Sequence, residues 1–114
     1  MQSRVWSFFA LLAMASCVQV AKIEDARPVA LSANQVAQIK SVVTRDFNDP
    51  ASAQFRNIRA ADVTLESGKR ERRVCGEVNG KNLYGAYVGF SLFGGTLENG
   101  VFQRRTLSAP CEPW

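Results

Sequence analysis

The clearest pattern in the chain is a set of apolar residues that recur every three or four positions after residue 30. The set comprises Val36, Ile39, Val43 and Phe47. This spacing is typical of an amphipathic helix that covers a core. Ser32 and Gln35 form a capping-box signature at the predicted start of the helix. Asp49 and Pro50 predict its end, because the residue before a proline avoids helical backbone angles.

The chain after residue 53 alternates between apolar and polar positions, which is typical of strands. The predicted strands are QFRNIRAADVTLE (54–66), ERRVCGEV (71–78), LYGAYVGFSLF (83–93) and a last strand over 101–107. Ser67-Gly68 predicts a turn, Asn79-Gly80 predicts a hairpin between the second and third strands, and Gly94-Gly95 predicts the end of the third. The expected fold class is α+β. One N-terminal amphipathic helix packs on a small antiparallel sheet of four or five strands, with one disulfide.

The predicted hairpin assigns side chains to the two faces of the sheet. With a two-residue loop, Cys75 and Glu77 share a face with four further residues, and we expect that face to cover the helix. The four are Tyr84, Ala86, Val88 and Phe90. The opposite face carries Gly85, Tyr87 and Gly89, and glycines in a strand often mark the close approach of another group. A three-residue loop would exchange the two faces.

The N-terminal segment MQSRVWSFFALLAMASC has the layout of an export signal. Arg4 precedes an apolar run over 5–15, which as a helix is too short to cross a bilayer core. Two processing routes are open, a cut before Ser16 or lipidation of Cys17. We expect a signal peptide over 1–16, a tether over 17–30 and one small domain over 31–114. The protein would then lie in the bacterial cell envelope, on the periplasmic side of a membrane, lipid-anchored or, if cut before Ser16, soluble in the periplasm.

Composition excludes some classes of function. A chain of 114 residues is one domain. The net charge of +4 is spread along the chain, which weakly favours anionic envelope surfaces and is unlike the basic stripe of a nucleic-acid-binding protein. Histidine is absent, which removes the commonest general base and metal ligand, and we predict neither a metal site nor a cofactor. In an oxidising compartment Cys75 and Cys111 are expected to pair, whether Cys17 is lipidated or lost.

Three segments carry a resemblance to a known family. DPASAQFR (49–56), CGEVNGKN (75–82) and GAYVGF (85–90) resemble segments of a family of small uncharacterised exported bacterial proteins, many of them lipoproteins. The resemblance covers about half of the chain expected to remain after export. It implies a shared fold unit and no particular reaction.

Candidate chemistry concentrates between residues 69 and 90. Glu77 on a core face would either pair with an arginine such as Arg56 or have its pKa raised by burial. Cys75 lacks a histidine to activate it as a nucleophile. The basic run over 69–73 is expected to be solvated or to contact anionic headgroups. The candidate binding residues are Tyr87, Gly85, Gly89, Glu77, Asn82, Arg72 and Arg73, and no catalytic residue is assigned.

The favoured hypothesis is a non-enzymatic binding or structural module of the envelope, with an unknown envelope protein or an anionic surface as its partner. The alternatives are a cell-wall-acting enzyme that uses Glu77 and an inhibitor or immunity-type protein with an exposed loop.

Overall fold

The computed structural model describes residues 22–106 and has the predicted α+β class. Five antiparallel strands form one sheet in the order β1-β2-β3-β4-β5. The elements are β1 (Ile23–Val29), α1 (Ala33–Val43), β2 (Gln54–Leu65), β3 (Arg70–Asn79), β4 (Ser91–Glu98) and β5 (Val101–Arg104), with a 3-10 turn at Pro50–Ser52. The helix follows β1 instead of opening the domain, which corrects the expected order.

Strand β1 lies within the segment that we expected to be a tether. It pairs antiparallel with β2, so that Val29 lies opposite Ala60. The half-buried residues of β1 are Ile23, Ala26 and Val29, which are three positions apart. Strands are recognised by apolar residues at every second position, so this spacing did not predict a strand. Pro28 is tolerated because β1 is an edge strand. The sheet therefore begins at residue 23, inside the segment over 17–30.

The start of α1 matches the sequence prediction. The Gln35 N–H donates to Ser32 Oγ at 3.1 Å, and the Ser32 N–H donates to Gln35 Oε1 at 2.9 Å, so the capping box is confirmed. The helix ends at Val43, where both the N–H and the hydroxyl of Thr44 donate to the Lys40 carbonyl. It therefore ends before the Asp49-Pro50 signal. Within residues 22–106, no helix is long and apolar enough to span a membrane.

The core lies between α1 and one face of the sheet, here called the helix face. Ile39 and Val43 of the helix are fully buried there. The sheet contributes Ala60, Val74, Val78, Phe93, Leu97 and Phe102. A Cβ atom at Gly76 would come within 2.5 Å of the Phe93 ring, so glycine is required where that ring crosses β3. Phe47 lies beyond the helix but still packs against this core.

The predicted core face of Tyr84, Ala86, Val88 and Phe90 is wrong. Tyr84 is 94% exposed and Val88 is 70% exposed, because residues 80–90 form a loop instead of a strand. Strand β3 presents Val74 and Val78 to the helix. The alternation of the strand therefore directs Cys75 and Glu77 to the opposite face, here called the second face.

The hairpin prediction selected the wrong Asn-Gly pair. Asn79 is the last residue of β3, and β4 begins only at Ser91. The two-residue hairpin is instead formed by Asn99 and Gly100, which join β4 to β5 with φ values of 52° and 77°. Positive φ at both central positions is the requirement of a type I′ turn. The Gly94-Gly95 pair, which we expected to end a strand, lies within β4.

Candidate functional site

The loop over residues 80–90, here called the 80–90 loop, carries most of the predicted binding residues. Asn82, Gly85, Tyr87 and Gly89 all lie in it. It joins β3 to β4 at the end of the sheet opposite to the β2–β3 and β4–β5 hairpins. The structure therefore brings these four residues together, although in a loop instead of the expected strand.

Asn82 closes the tip of the 80–90 loop. Its side-chain Oδ1 accepts from the Tyr84 N–H at 2.9 Å and from the Ala86 N–H at 3.1 Å. The Asn82 N–H donates to the Ala86 carbonyl at 2.8 Å, and its carbonyl accepts from the Gly85 N–H at 3.0 Å. Gly85 has a φ of +78°, the left-handed conformation that glycine adopts without steric cost. Four hydrogen bonds to one residue make this tip a fixed turn.

The base of the loop is attached to the rest of the domain. The Gly89 N–H donates to Asn79 Oδ1 at 3.0 Å, and the Val88 N–H donates to the Gly80 carbonyl at 3.4 Å. These contacts hold the second half of the loop against the end of β3. Gly89 has a φ of +103°, so it is a turn residue and not part of a flat, bare strip of backbone.

Tyr87 links the loop to the turn before β2. Its hydroxyl donates to the Ser52 carbonyl at 2.8 Å, and the Lys81 ammonium lies 5.3 Å from the centre of its ring. Tyr87 is 42% exposed. It therefore acts as a support for the loop, and only part of its ring remains available to a partner.

The most exposed apolar side chains of the loop are two that we did not assign as binding residues. Leu83 is 83% exposed and Tyr84 is 94% exposed, and Val88 on the returning side is 70% exposed. An apolar group held in water on an ordered loop is typical of a recognition surface. The available signal was Asn82 itself, because an asparagine side chain often bonds to the backbone two residues further on and so closes a turn.

Glu77 forms an ion pair on the second face. Its Oε2 accepts from Arg56 Nε at 2.9 Å and from Asn57 Nδ2 at 2.9 Å. The hydrogen bonds from Arg56 and Asn57 hold the pKa of Glu77 below its ordinary value. The pairing with Arg56 is confirmed. A raised pKa, as a general acid would need, is contradicted.

A backbone irregularity in β2 makes this ion pair possible. Asn57 has a φ of 55°, and the register with β3 shifts between Arg56 and Arg59. The extra residue directs both arginines to the second face, where Arg56 lies opposite Glu77 and Arg59 lies opposite Cys75. The Arg56 guanidinium also lies 3.8 Å from the centre of the Phe90 ring, at the base of the loop.

Arg72 and Arg73 point to opposite faces and do not form one basic patch. Arg72 binds Asp62 in a two-point contact of 2.7 and 3.0 Å, which holds the pKa of Asp62 below its ordinary value. Arg73 is buried in the second face and pairs with Glu71 at 2.9 Å. Both guanidiniums are therefore largely neutralised within the fold.

A polar cleft of about 610 Å³ lies at the end of the sheet beyond the start of α1. Its lining includes Arg27, Asp62, Arg70 and Arg72. Since Arg72 pairs with Asp62 and Arg27 pairs with Asp25, most of its charges are already satisfied. The cleft also lies at the opposite end of the sheet from the 80–90 loop.

The predicted cysteine chemistry falls partly outside the described residues. Cys75 is fully buried in β3 and is not a free thiol. Cys111, Cys17 and the signal segment 1–16 lie outside residues 22–106, so the Cys75–Cys111 pairing and the lipidation stay predictions. Among the described residues, no group of three or more Cys, Asp or Glu side chains is placed to hold a metal ion.

The chain was also compared with known proteins. No family model, no curated protein and no solved structure matches it. The resemblance carried by the three sequence segments therefore stays a prediction.

Proposed function

We propose that this protein is a non-enzymatic binding module of the bacterial cell envelope, and that the tip of the 80–90 loop docks into a cleft of a partner protein. The observation that carries the proposal is that the tip of the loop has an ordered backbone and exposed side chains. Leu83 and Tyr84 are almost fully exposed, while the backbone around them is fixed by the hydrogen bonds of Asn82.

A fixed loop lowers the entropic cost of association, because its conformation is not ordered at the moment of binding. Tyrosine side chains are frequent among the residues that dominate binding free energy. Tyr84 offers an apolar ring and a hydroxyl. On binding, the hydroxyl can replace its hydrogen bonds to water with hydrogen bonds to the partner. Leu83 beside it adds apolar area, so the best matched surface is an apolar pocket with a polar group at its base.

The topology favours a protein partner over a membrane surface for this loop. Lys22 accepts a hydrogen bond from Glu66 beside the β2–β3 turn, so the chain enters the sheet at that end. The 80–90 loop lies at the other end of β3, about 33 Å away for a strand of ten residues. A domain tethered through its N-terminal segment would thus present the loop away from the anchoring membrane.

The proposal includes export through residues 1–16 and anchoring through lipid on Cys17, or release into the periplasm after a cut before Ser16. It also includes a disulfide between Cys75 and Cys111. The burial of Cys75 in the middle of the sheet supports a structural role for its sulfur. A nucleophile would need access to substrate and a lowered pKa.

The alternative of a cell-wall-acting enzyme based on Glu77 has little support. Its carboxylate is engaged by Arg56 and Asn57, and its lowered pKa keeps it ionised. An inhibitor or immunity-type protein is a special case of the proposed function, because such proteins also insert an ordered loop into a partner's cleft.

Site-specific photocrosslinking in intact cells tests the proposal. A photoreactive phenylalanine analogue is placed at position 84 and, as the control, at position 101, where Val101 is also exposed but lies at the opposite end of the sheet. We expect a discrete crosslinked protein from position 84 only. Equal labelling from both positions, or none from position 84, would contradict the loop as the docking site.

A further inference from the structure

The dipeptide Asn-Gly occurs twice in the chain, and the fold gives its two copies opposite surroundings. Asn99-Gly100 forms the turn between β4 and β5, and both of its residues are exposed. Asn79-Gly80 lies at the end of β3, where Asn79 is only 7% exposed. The residue that follows the asparagine is the same in both copies, so a large difference in their reactivity has to come from the fold.

An asparagine followed by glycine can lose its side-chain amide without any enzyme. The backbone nitrogen of the glycine gives up its proton and forms a bond to the Asn Cγ atom, and ammonia leaves, which closes a succinimide ring. Water then opens the ring at either carbonyl and yields aspartate or isoaspartate. Glycine favours the first step because it has no Cβ atom beside the attacking nitrogen. No electrons are exchanged, and water is the co-reactant.

Hydrogen bonds and packing restrain the amide of Asn79. Its Oδ1 accepts from the Gly89 N–H at 3.0 Å, and its Nδ2 donates to Gln54 Oε1 at 3.4 Å. The amide is therefore held on both sides and kept from the Gly80 nitrogen. The Phe47 ring also packs closely against Gly80, which leaves little room for a succinimide ring at this point.

Asn99 lies in a part of the fold that can open at a small cost. It belongs to a two-residue turn that leads into the edge strand β5. In such a turn the ladder bonds join Glu98 and Val101, and the Gly100 N–H is left to solvent. Ring closure requires the backbone of Asn99 to rotate out of the turn conformation. A hairpin end at a sheet edge does so by local opening, well below the cost of global unfolding.

From these observations we infer that Asn99 is a site of spontaneous deamidation in the folded protein, with the Gly100 nitrogen and water as the reactants, and that Asn79 is protected. Partner binding by the 80–90 loop plays no part in this reaction, since that loop lies at the other end of the sheet.

The two products differ in their effect on the β4–β5 turn. Aspartate at position 99 keeps the normal backbone, and Asp-Gly suits the same type I′ turn. Continuing the β3–β4 register by two residues beyond Arg72 and Leu97 brings Arg70 opposite position 99, and both residues line the polar cleft. The new carboxylate therefore gains a cation beside it. Isoaspartate adds a methylene group to the backbone, and this longer backbone does not fit a two-residue turn.

Peptide mapping of the exported full chain after incubation in mildly alkaline buffer tests the inference. Trypsin separates the two sites, because Asn79 falls in fragment 74–81 and Asn99 in fragment 82–104. We expect the mass gain of deamidation to accumulate at Asn99 at least about ten times faster than at Asn79, because only the edge hairpin opens easily. Equal rates, or a faster reaction at Asn79, would overturn the inference. This measurement needs no variant.

The unfolded chain is the matched control. In guanidinium chloride with reductant, we expect the rates at Asn79 and Asn99 to agree within about threefold, since an unfolded chain keeps only fluctuating local structure. A preference for Asn99 that persists undiminished in denaturant would show that the neighbouring sequence and not the fold selects the site, which would also overturn the inference.

The stability of the products tests their stated effect on the turn. We expect Asn99→Asp to keep the urea midpoint of the wild type. The isoaspartate form, separated by chromatography from the incubated protein, should unfold at a lower urea concentration. An isoaspartate form with the wild-type midpoint would contradict the effect on the β4–β5 turn.

Discussion

Asn82 and Ala86 bind each other through both backbone and side chain in the 80–90 loop. The Asn82 N–H donates to the Ala86 carbonyl at 2.8 Å, and the Ala86 N–H donates to Asn82 Oδ1 at 3.1 Å. The three residues between them form the tip that carries Leu83 and Tyr84. This reciprocal contact connects the sequence of the loop to its proposed function, because it fixes the exposed side chains in one arrangement.

The first prediction concerns this contact. Asn82→Ala removes the acceptor for the Tyr84 and Ala86 N–H groups, and we expect amide hydrogen exchange at those two positions to accelerate at least about tenfold, as the loss of roughly 1.4 kcal/mol of local stability implies. The free energy of global unfolding should fall by only about 1 kcal/mol, since the loop lies outside the core. The control Tyr87→Phe removes the bond to Ser52 and should leave the Tyr84 amide protected. Unchanged exchange at Tyr84 in Asn82→Ala would mean that the side chain does not hold the tip.

The second prediction concerns pH. The pKa of Glu77 is lower in the folded protein than its ordinary value of 4.5, because of the hydrogen bonds from Arg56 and Asn57. The stabilisation by this carboxylate is therefore present above about pH 4.5 and is lost as the pH falls through the folded pKa. Glu77→Gln should lower the urea midpoint at pH 7, and the difference from the wild type should shrink below pH 4. A difference that is constant from pH 7 to pH 3 would show that the ionised group contributes nothing.

The third prediction concerns the core under the helix. Ile39 is fully buried, so Ile39→Ala should lower the free energy of unfolding by about 2 to 5 kcal/mol. Phe47→Ala should lower the free energy of unfolding by less than the removal of a fully buried ring would, because Phe47 is only partly buried beyond the helix end. The exposed helix position Ser41 is the control, and Ser41→Ala should change the free energy by less than about 0.5 kcal/mol. Equal effects at positions 39 and 41 in urea melts would contradict the docking of α1.

The fourth prediction separates the two Asn-Gly pairs. Gly100 has a φ of 77°, so Gly100→Ala should cost about 1 to 2 kcal/mol of stability from strain in the left-handed region. Gly80 lies outside that region, and a Cβ atom there would instead lie 2.8 Å from the Phe47 ring. The variant Gly80→Ala should therefore regain stability when Phe47→Leu is added, whereas Gly100→Ala should not. Rescue of Gly100→Ala by Phe47→Leu would contradict the turn assignment.

Local signals in the sequence predicted local structure well. The capping box at Ser32 and Gln35 and the turn at Ser67-Gly68 are confirmed, because each depends on residues a few positions apart in the chain. The ion pair of Glu77 with Arg56 is also confirmed, although it joins two strands beside the register shift in β2. The α+β class with one helix and an antiparallel sheet followed from the same signals.

Features that depend on tertiary contacts were not accessible in the same way. The residues Asn79-Gly80 and Asn99-Gly100 carry the same hairpin signal, and only packing decides which one turns the chain. At Asn79 the side chain bonds to Gly89 and Gln54, which holds the residue in an extended conformation. Since the exposed tip depends on that loop, the expectation of a strand over 83–93 hid Leu83 and Tyr84, although Asn82 offered a local turn signal.

The most direct test of the central claim is the affinity of the partner identified by crosslinking for single-residue variants of the loop. Isothermal calorimetry would compare the wild type with Tyr84→Ala and with Leu92→Ala, a control that is 71% exposed on β4 outside the loop. We predict that Tyr84→Ala weakens binding by at least about 2 kcal/mol, roughly thirtyfold, with no change in melting temperature, and that Leu92→Ala binds as the wild type does. Unchanged affinity of Tyr84→Ala for that partner would contradict the account.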